Sequence, residues 1–278
     1  MRFVVVLVLL CRAAHASPTL LSPSAIAIDA TTGEVLFERR ADEVRPIASM
    51  TKLFAALVLR ARKLDLAKST TITHVDAVAS IGGAPTMLRE GQRFRNADLL
   101  YAMLLASDNR TPTALARSIG LSSEDLLLAM RKRAADLGLA STKLDDVTGL
   151  AGNASTARDM ALALREAIRD PVLRRFMTTR RARVVSEDGS VSGDYTSTVP
   201  PLWSRHAILG GKTGWTEAAG YCEVIAVQLG DRKVVMAFLG ARDKVARYDD
   251  FIALADWLTS SPAPDRAPAS PRRASGSR

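Results

Sequence analysis

The feature that most narrows the fold is a stretch from Ser49 to about Leu64 with neither glycine nor proline, in which apolar side chains (Leu53, Phe54, Leu57, Val58, Leu59, Leu64) recur at helical spacing. Apolar residues around nearly the whole circumference mark a helix buried on all sides, not one lying on a surface. Two polar residues, Ser49 and Lys52, are placed by this periodicity in its first turn, three apart and so on one face. A chain that carries a lysine into a buried helix must supply that amine with partners from elsewhere.

The flanking sequence supplies a sheet. Ala25 to Asp29 and Glu34 to Glu38 alternate in polarity around Ala30-Thr31-Thr32-Gly33, the pattern of a β-hairpin. Far downstream, Ile208 to Trp215, Tyr221 to Leu229 and Lys233 to Leu239 read as adjacent antiparallel strands, with Gly230-Asp231 as a tight connector and a helix over Tyr248 to Leu258 packed on them. Between these blocks the signals are helical. Asn96 is expected to cap a run through Ala106, Thr111 opens another to Ile119, and Ser122 with Asp125 forms a capping box ahead of Leu126 to Leu137. Ser155 is expected to cap a helix to about Ile168, with Pro171 as punctuation before strand character returns. The expectation is an α/β (α+β) chain: an antiparallel sheet flanked by helices, formed by residues 17–70 and 151–259, with an inserted all-helical subdomain over 71–150.

The ends differ from this body. Arg2, the apolar run Phe3 to Leu10 and Ala14-His15-Ala16 are the parts of an export signal with cleavage expected after Ala16. The run is about half the roughly 20 residues a bilayer span needs, so no stable membrane anchor is expected after cleavage. Cys11 lacks the small preceding residues of a lipidation site. Residues 260–278, rich in Ser, Pro, Ala and Arg, are expected to be a disordered basic tail. With the leader removed, Cys222 is the sole cysteine, which excludes an intrachain disulfide, and the isolated His74 and His206 do not make a zinc site. No metal or organic cofactor is implied. The net charge of +9 suits anionic polymers; export favours the cell envelope over nucleic acid, for which no motif is present.

Three short elements carry the chemistry: Ser49-Met50-Thr51-Lys52, Ser107-Asp108-Asn109 and Lys212-Thr213-Gly214. Each alone is common; an isolated S-x-x-K is ordinarily a capping serine followed by a solvated lysine. Together, in this order and these contexts, they describe a nucleophilic hydroxyl with a base beside it. Lys52 becomes that base if burial, or Lys212 as a second cation, lowers its pKa from ~10.4 toward neutrality. Ser107, at a helix end, is placed to pass a proton between Lys52 and a leaving amine, and Asn109 to hold a substrate carbonyl. Gly214 on a strand lets a substrate backbone approach. The N–H groups of Ser49 and Trp215 would form an oxyanion hole, while Lys212 and Thr213 hold the substrate's carboxylate or carbonyl. Gly189-Ser190-Val191-Ser192-Gly193 only superficially imitates a hydrolase elbow, and a Ser-His-Asp triad lacks support.

This trio is the one associated with penicillin-binding proteins and class A β-lactamases. The chain resembles the low-molecular-mass D-alanyl-D-alanine peptidases, serine peptidase family S11, also in Val44-Arg45-Pro46-Ile47-Ala48, Asp146-Val147-Thr148-Gly149-Leu150, Ser155-Thr156-Ala157-Arg158-Asp159, and Trp215-Thr216 with Ala218-Ala219-Gly220-Tyr221-Cys222. The resemblance covers roughly residues 24 to 258. It implies the serine β-lactamase/DD-peptidase (transpeptidase-like) fold, peptidoglycan peptide stems as substrate, β-lactams as covalent inhibitors and a periplasmic location. Because the chain stops soon after the sheet, it is most similar to the small soluble DD-endopeptidases, with D-alanyl-D-alanine carboxypeptidase as the alternative. Cys222 is expected to pack in the core. The segment Tyr195-Thr196-Ser197-Thr198-Val199 departs from the Asn-rich stretch usual before the third motif. The rival readings are a β-lactamase, disfavoured because no Glu-x-x-Leu-Asn-like element lies between Asn109 and Lys212, and a catalytically inert wall-binding protein, disfavoured by the intact motifs.

Overall fold

A computed structural model describes residues 17–260; the expected leader and nearly all of the basic tail lie outside them. Five strands form one antiparallel sheet. Numbering only these, they are β1 (Ser24–Asp29), β2 (Val35–Arg39), β3 (Ala207–Thr216), β4 (Gly220–Leu229) and β5 (Arg232–Ala241), in the order β2-β1-β5-β4-β3. The first strand therefore pairs with the last, Ala27 opposite Met236. Both hairpins predicted from alternation are present, with strand ends within one or two residues of expectation.

Among the described residues, eight α-helices accompany this sheet: α1 (Lys52–Ala61), α2 (His74–Ala79), α3 (Asn96–Leu105), α4 (Thr111–Ser118), α5 (Ser123–Asp136), α6 (Ala157–Ala167), α7 (Pro171–Thr178) and α8 (Lys244–Ser260). α1 is the axis. It packs against α3, α4, α5 and α6, and every residue from Lys52 to Leu59 is buried. At ~1.5–3 kcal/mol for each fully buried large apolar side chain, this helix anchors the core that positions its own N-terminus. α6 covers one face of the sheet and α8 the other. Alternation sorts the strand residues accordingly: Ile26, Val224 and Ala237 face α1 and α6, while Ala27, Ile225 and Phe238 face α8.

Several local expectations are corrected. Ser49 lies in a one-turn 3-10 helix, Ala48–Thr51, immediately before α1. Asn96 is the first residue of α3, not its cap; its buried amide donates to Asp65 O at 2.7 Å and accepts from Thr70 Oγ1 at 2.6 Å, tying the helix to the preceding loop. Thr156, not Ser155, caps α6 by accepting from Asp159 N at 3.0 Å, because Ser155 is held in a strand pairing with Arg45. Pro171 opens α7, whose cap is Asp170; proline at a first helical position loses no needed N–H. The capping box at Ser122 and Asp125 is present. The small hairpin Arg181–Val185 with Ser192–Thr196, assigned by sequence to the sheet part, packs on α3.

Candidate active site

The Ser49 turn is set by close backbone packing. Ala48 carries a left-handed backbone (φ 46°), strained for a residue with a side chain. Two glycines press on it. A methyl on Gly149 (φ 91°) would lie 2.1 Å from Ala48 O, and one on Gly214 would lie 2.6 Å from Ile47 O and 3.1 Å from Ser49 N. The need for glycine at 214 is thus the approach of β3 to the backbone of the Ser49 turn, not that of a substrate backbone alone. The side chain of Thr51 donates to Ala48 O at 2.7 Å and accepts from Asn153 Nδ2 at 2.8 Å, fixing the turn from below.

Lys52 is 0% exposed, and its Nζ has three neighbours: Ser49 Oγ at 2.9 Å, Asn109 Oδ1 at 2.6 Å and Thr148 O at 2.7 Å. Nothing in the sequence at Thr148 itself marks it as part of the site. Its carbonyl is delivered by a turn built on Asp146, whose carboxylate accepts from Gly149 N at 2.9 Å, Leu150 N at 3.2 Å and Asn153 Nδ2 at 2.8 Å. This gives the Asp-Val-Thr-Gly-Leu segment a physical purpose; the signal was the Asx-turn chemistry of an aspartate followed by Thr-Gly. Burial lowers the Lys52 amine to about 7, against the opposing pull of the Asp108 and Asp146 carboxylates. Burial is therefore the dominant cause, ahead of the second cation the sequence suggested.

Across the cleft, Lys212 on β3 is also fully buried, with Nζ 2.7 Å from Ser107 Oγ and 2.8 Å from Thr213 O. Burial first, then the charges of Lys52 and Arg247, push this amine well below the ordinary lysine value. Ser107 Oγ is thus held by Lys212, and Lys212 itself is not among the residues that line the pocket. Ser107 itself has φ 66°, a second strained residue in the site. Asp108 anchors that turn: its carboxylate accepts from Thr86 Oγ1, from Tyr195 OH at 2.8 Å and from Arg110 N at 2.9 Å. The departing segment 195–199 therefore participates, since Thr198 Oγ1 also lies 2.6 Å from Thr213 Oγ1.

These groups open onto a cavity of about 640 Å³ whose walls include Ser49, Ser107, Asn109, Thr213, Gly214 and Trp215. Trp215 is 56% exposed at the rim, and its ring centroid lies 5.9 Å from that of Tyr221. Arg247 in the first turns of α8, missed by sequence reasoning because nothing in a lone helical arginine signals burial, also reaches the cavity while only 4% exposed. Cys222 is buried, with its thiol raised to about 11 by desolvation, which removes it as a nucleophile.

The comparisons agree with this architecture. Residues 12–243 match the family model Peptidase S11, D-alanyl-D-alanine carboxypeptidase. The chain is 31% identical over 244 residues to a D-alanyl-D-alanine endopeptidase of Pseudomonas aeruginosa, covering 86% of this chain and 77% of that one. It is 28% identical over 249 residues to the D-alanyl-D-alanine endopeptidase of Escherichia coli, covering 87% and 78%. The crystal structure of the Streptomyces K15 DD-transpeptidase superposes with a TM-score of 0.82 at 27% identity, covering 87% of this chain and 98% of that one. The five-stranded antiparallel sheet with flanking helices is thus the DD-transpeptidase fold, and the chain belongs to the S11 family of serine-type D-alanyl-D-alanine peptidases, which act on peptidoglycan and bind penicillin.

Proposed function

We propose that this protein is a DD-endopeptidase that works outside the cytoplasm and cuts D-alanyl cross-links between peptidoglycan stems through an acyl-enzyme on Ser49. The observation that carries the catalytic part is the 2.9 Å contact between Ser49 Oγ and a fully buried amine brought to about 7, which is a base at working pH. Neutral Lys52 accepts the Ser49 proton as Oγ attacks the D-alanyl carbonyl. The N–H groups of Ser49 and Trp215 stabilise the oxyanion. The intermediate collapses as the C–N bond breaks, and the proton held by Lys52 passes through Ser107 Oγ, itself bonded by Lys212, to the leaving amine, so that Lys52 is neutral again. Water then adds to the ester, Lys52 again taking the proton, and Ser49 is released. Asn109, whose Oδ1 is held by Lys52, keeps Nδ2 for a substrate carbonyl. Thr213 and Arg247 are donors in the lining suited to a carboxylate on the leaving residue, with Lys244 a further cation in the wall.

The endopeptidase assignment is supported by the printed activity of the Pseudomonas and Escherichia relatives; terminal D-alanine release uses the same acyl-enzyme and is the second reading, supported by the family description. Digestion of purified cross-linked muropeptides, read by mass spectrometry, separates them: monomers appearing with the terminal D-alanine intact support the endopeptidase, and loss of D-alanine without uncoupling supports the carboxypeptidase. Ser49→Ala should abolish covalent labelling by a fluorescent penicillin while the protein stays folded. Retained labelling would refute the nucleophile assignment, and rapid release of hydrolysed penicillin would favour a β-lactamase.

A further inference from the structure

Directly beside Thr213 in the sheet, on the adjacent strand β4, stands Glu223. Its side chain is 0% exposed and neither carboxyl oxygen has a hydrogen-bond partner. An isolated carboxylate in such a place is costly, and acids persist there chiefly as the neutral form or beside a cation. The cation is at hand. Arg247 Nη1 donates at 3.0 Å to the carbonyl of Cys222, one residue before Glu223, while Arg247 Nε is buried with no partner. The guanidinium sits 5.9 Å from the centroid of the Tyr221 ring and reaches the substrate cavity. Two buried groups of opposite character, Arg247 being anchored on the carbonyl of the residue before Glu223, thus each keep unused hydrogen-bonding capacity, and one of them reaches the substrate cavity.

We propose that Glu223 is a positioning residue for substrate binding: protonated, it leaves the Arg247 guanidinium to the substrate carboxylate, and ionised, it draws that guanidinium away from the pocket. The inference rests on the reading of Arg247 and Thr213 as carboxylate donors given above. Among the described residues, Arg247 is the charged group that acts on Glu223. Thr213 on β3 and Phe238 on β5 are its strand neighbours, and Tyr221 precedes it on its own strand. Asp250 on α8 is engaged by Leu21 N at 2.6 Å and Ser22 N at 2.7 Å. Arg45 approaches Gly240 on the strand beyond, and Glu217 and Lys244 stand in the cavity wall. Burial raises the Glu223 carboxyl to about 7, with Arg247 opposing, so the exchange falls near neutral pH.

The test uses the full chain and two probes that differ in one charge, benzylpenicillin and its methyl ester, with acylation followed by stopped flow from pH 5.5 to 8.5. For the unmodified protein the half-saturating concentration of benzylpenicillin should rise about tenfold between pH 6 and 8, the loss of binding-competent form set by a competing acid near 7. That of the ester should stay flat. In Glu223→Gln the rise should vanish, while the maximal acylation rate keeps the pH midpoint set by Lys52. Glu223→Leu provides the same readout should the amide fold poorly. A rise that persists in both variants, or that the ester shares, overturns the inference. Acylation with a half-saturating concentration independent of pH in the unmodified protein overturns this inference alone; no acylation at any pH removes the peptidase reading and the inference with it.

Discussion

The two faces of the central sheet differ in how completely they satisfy their buried polar groups. On the face toward α1, each buried ionisable group is enclosed by partners: Lys52 has three, Lys212 two, and Asp108 three. On the face toward α8, Asp250 is paired with two backbone N–H groups, but Glu223 has no partner, and Arg247 Nε and Trp257 Nε1 are buried without partners. A satisfied network holds a charged or reactive group in one geometry, which catalysis needs. An unsatisfied one leaves a group free to change protonation or partner at small structural cost, at the expense of stability.

The contrast can be broken from the satisfied side first. Lys52→Ala removes the base and strands Asn109 Oδ1 and Thr148 O, so penicillin acylation should fall by about a thousandfold or more, measured as the second-order rate constant, while far-ultraviolet circular dichroism is retained. Gly149→Ala attacks the geometry alone. Its methyl would meet Ala48 O and the residue would have to hold φ 91°, so acylation should drop roughly a hundredfold and stability by about 2 kcal/mol, read by urea unfolding. An unchanged acylation rate would show that the Ser49 turn tolerates displacement.

The α8 side gives the smallest effect on chemistry and a measurable one on stability. The Glu223 carboxyl is neutral in the folded protein at pH values where the unfolded chain has already released the proton. Stability is therefore lost as pH climbs from the ordinary glutamate value near 4.5 to about 7, and the loss then levels off. At 1.36 kcal/mol per pH unit, Glu223→Gln should gain ~3 kcal/mol on the unmodified protein between pH 4 and 8. Equal pH dependence in both would place the Glu223 carboxylate in a better-solvated or paired state than its burial indicates.

Much of this site was legible before any coordinates. Ser49 and Lys52 share a face because they are three apart in one helical turn, a local rule, and alternation placed Lys212-Thr213-Gly214 on a strand. What failed locally failed for a local-versus-tertiary reason: Ser155 yields the capping position to Thr156 because a strand pairing with Arg45 holds it extended. Arg247 and Glu223 gave no warning, since an arginine or a glutamate is expected in solvent unless packing from distant segments forbids it.

The amino-acid order by itself determined most of the elements, their amphipathic faces and the residue types proposed as nucleophile, base and oxyanion donors, because helix and strand periodicity depend on neighbours a few residues apart. Only the tertiary structure decided which amine serves which hydroxyl: Lys212 to Ser107 across 105 positions, and Thr148 O onto Lys52 across 96. It also decided which ionisable groups lose their solvent. Those outcomes follow from desolvation and from the sum of contacts made by segments far apart in the chain, and no local spacing encodes either.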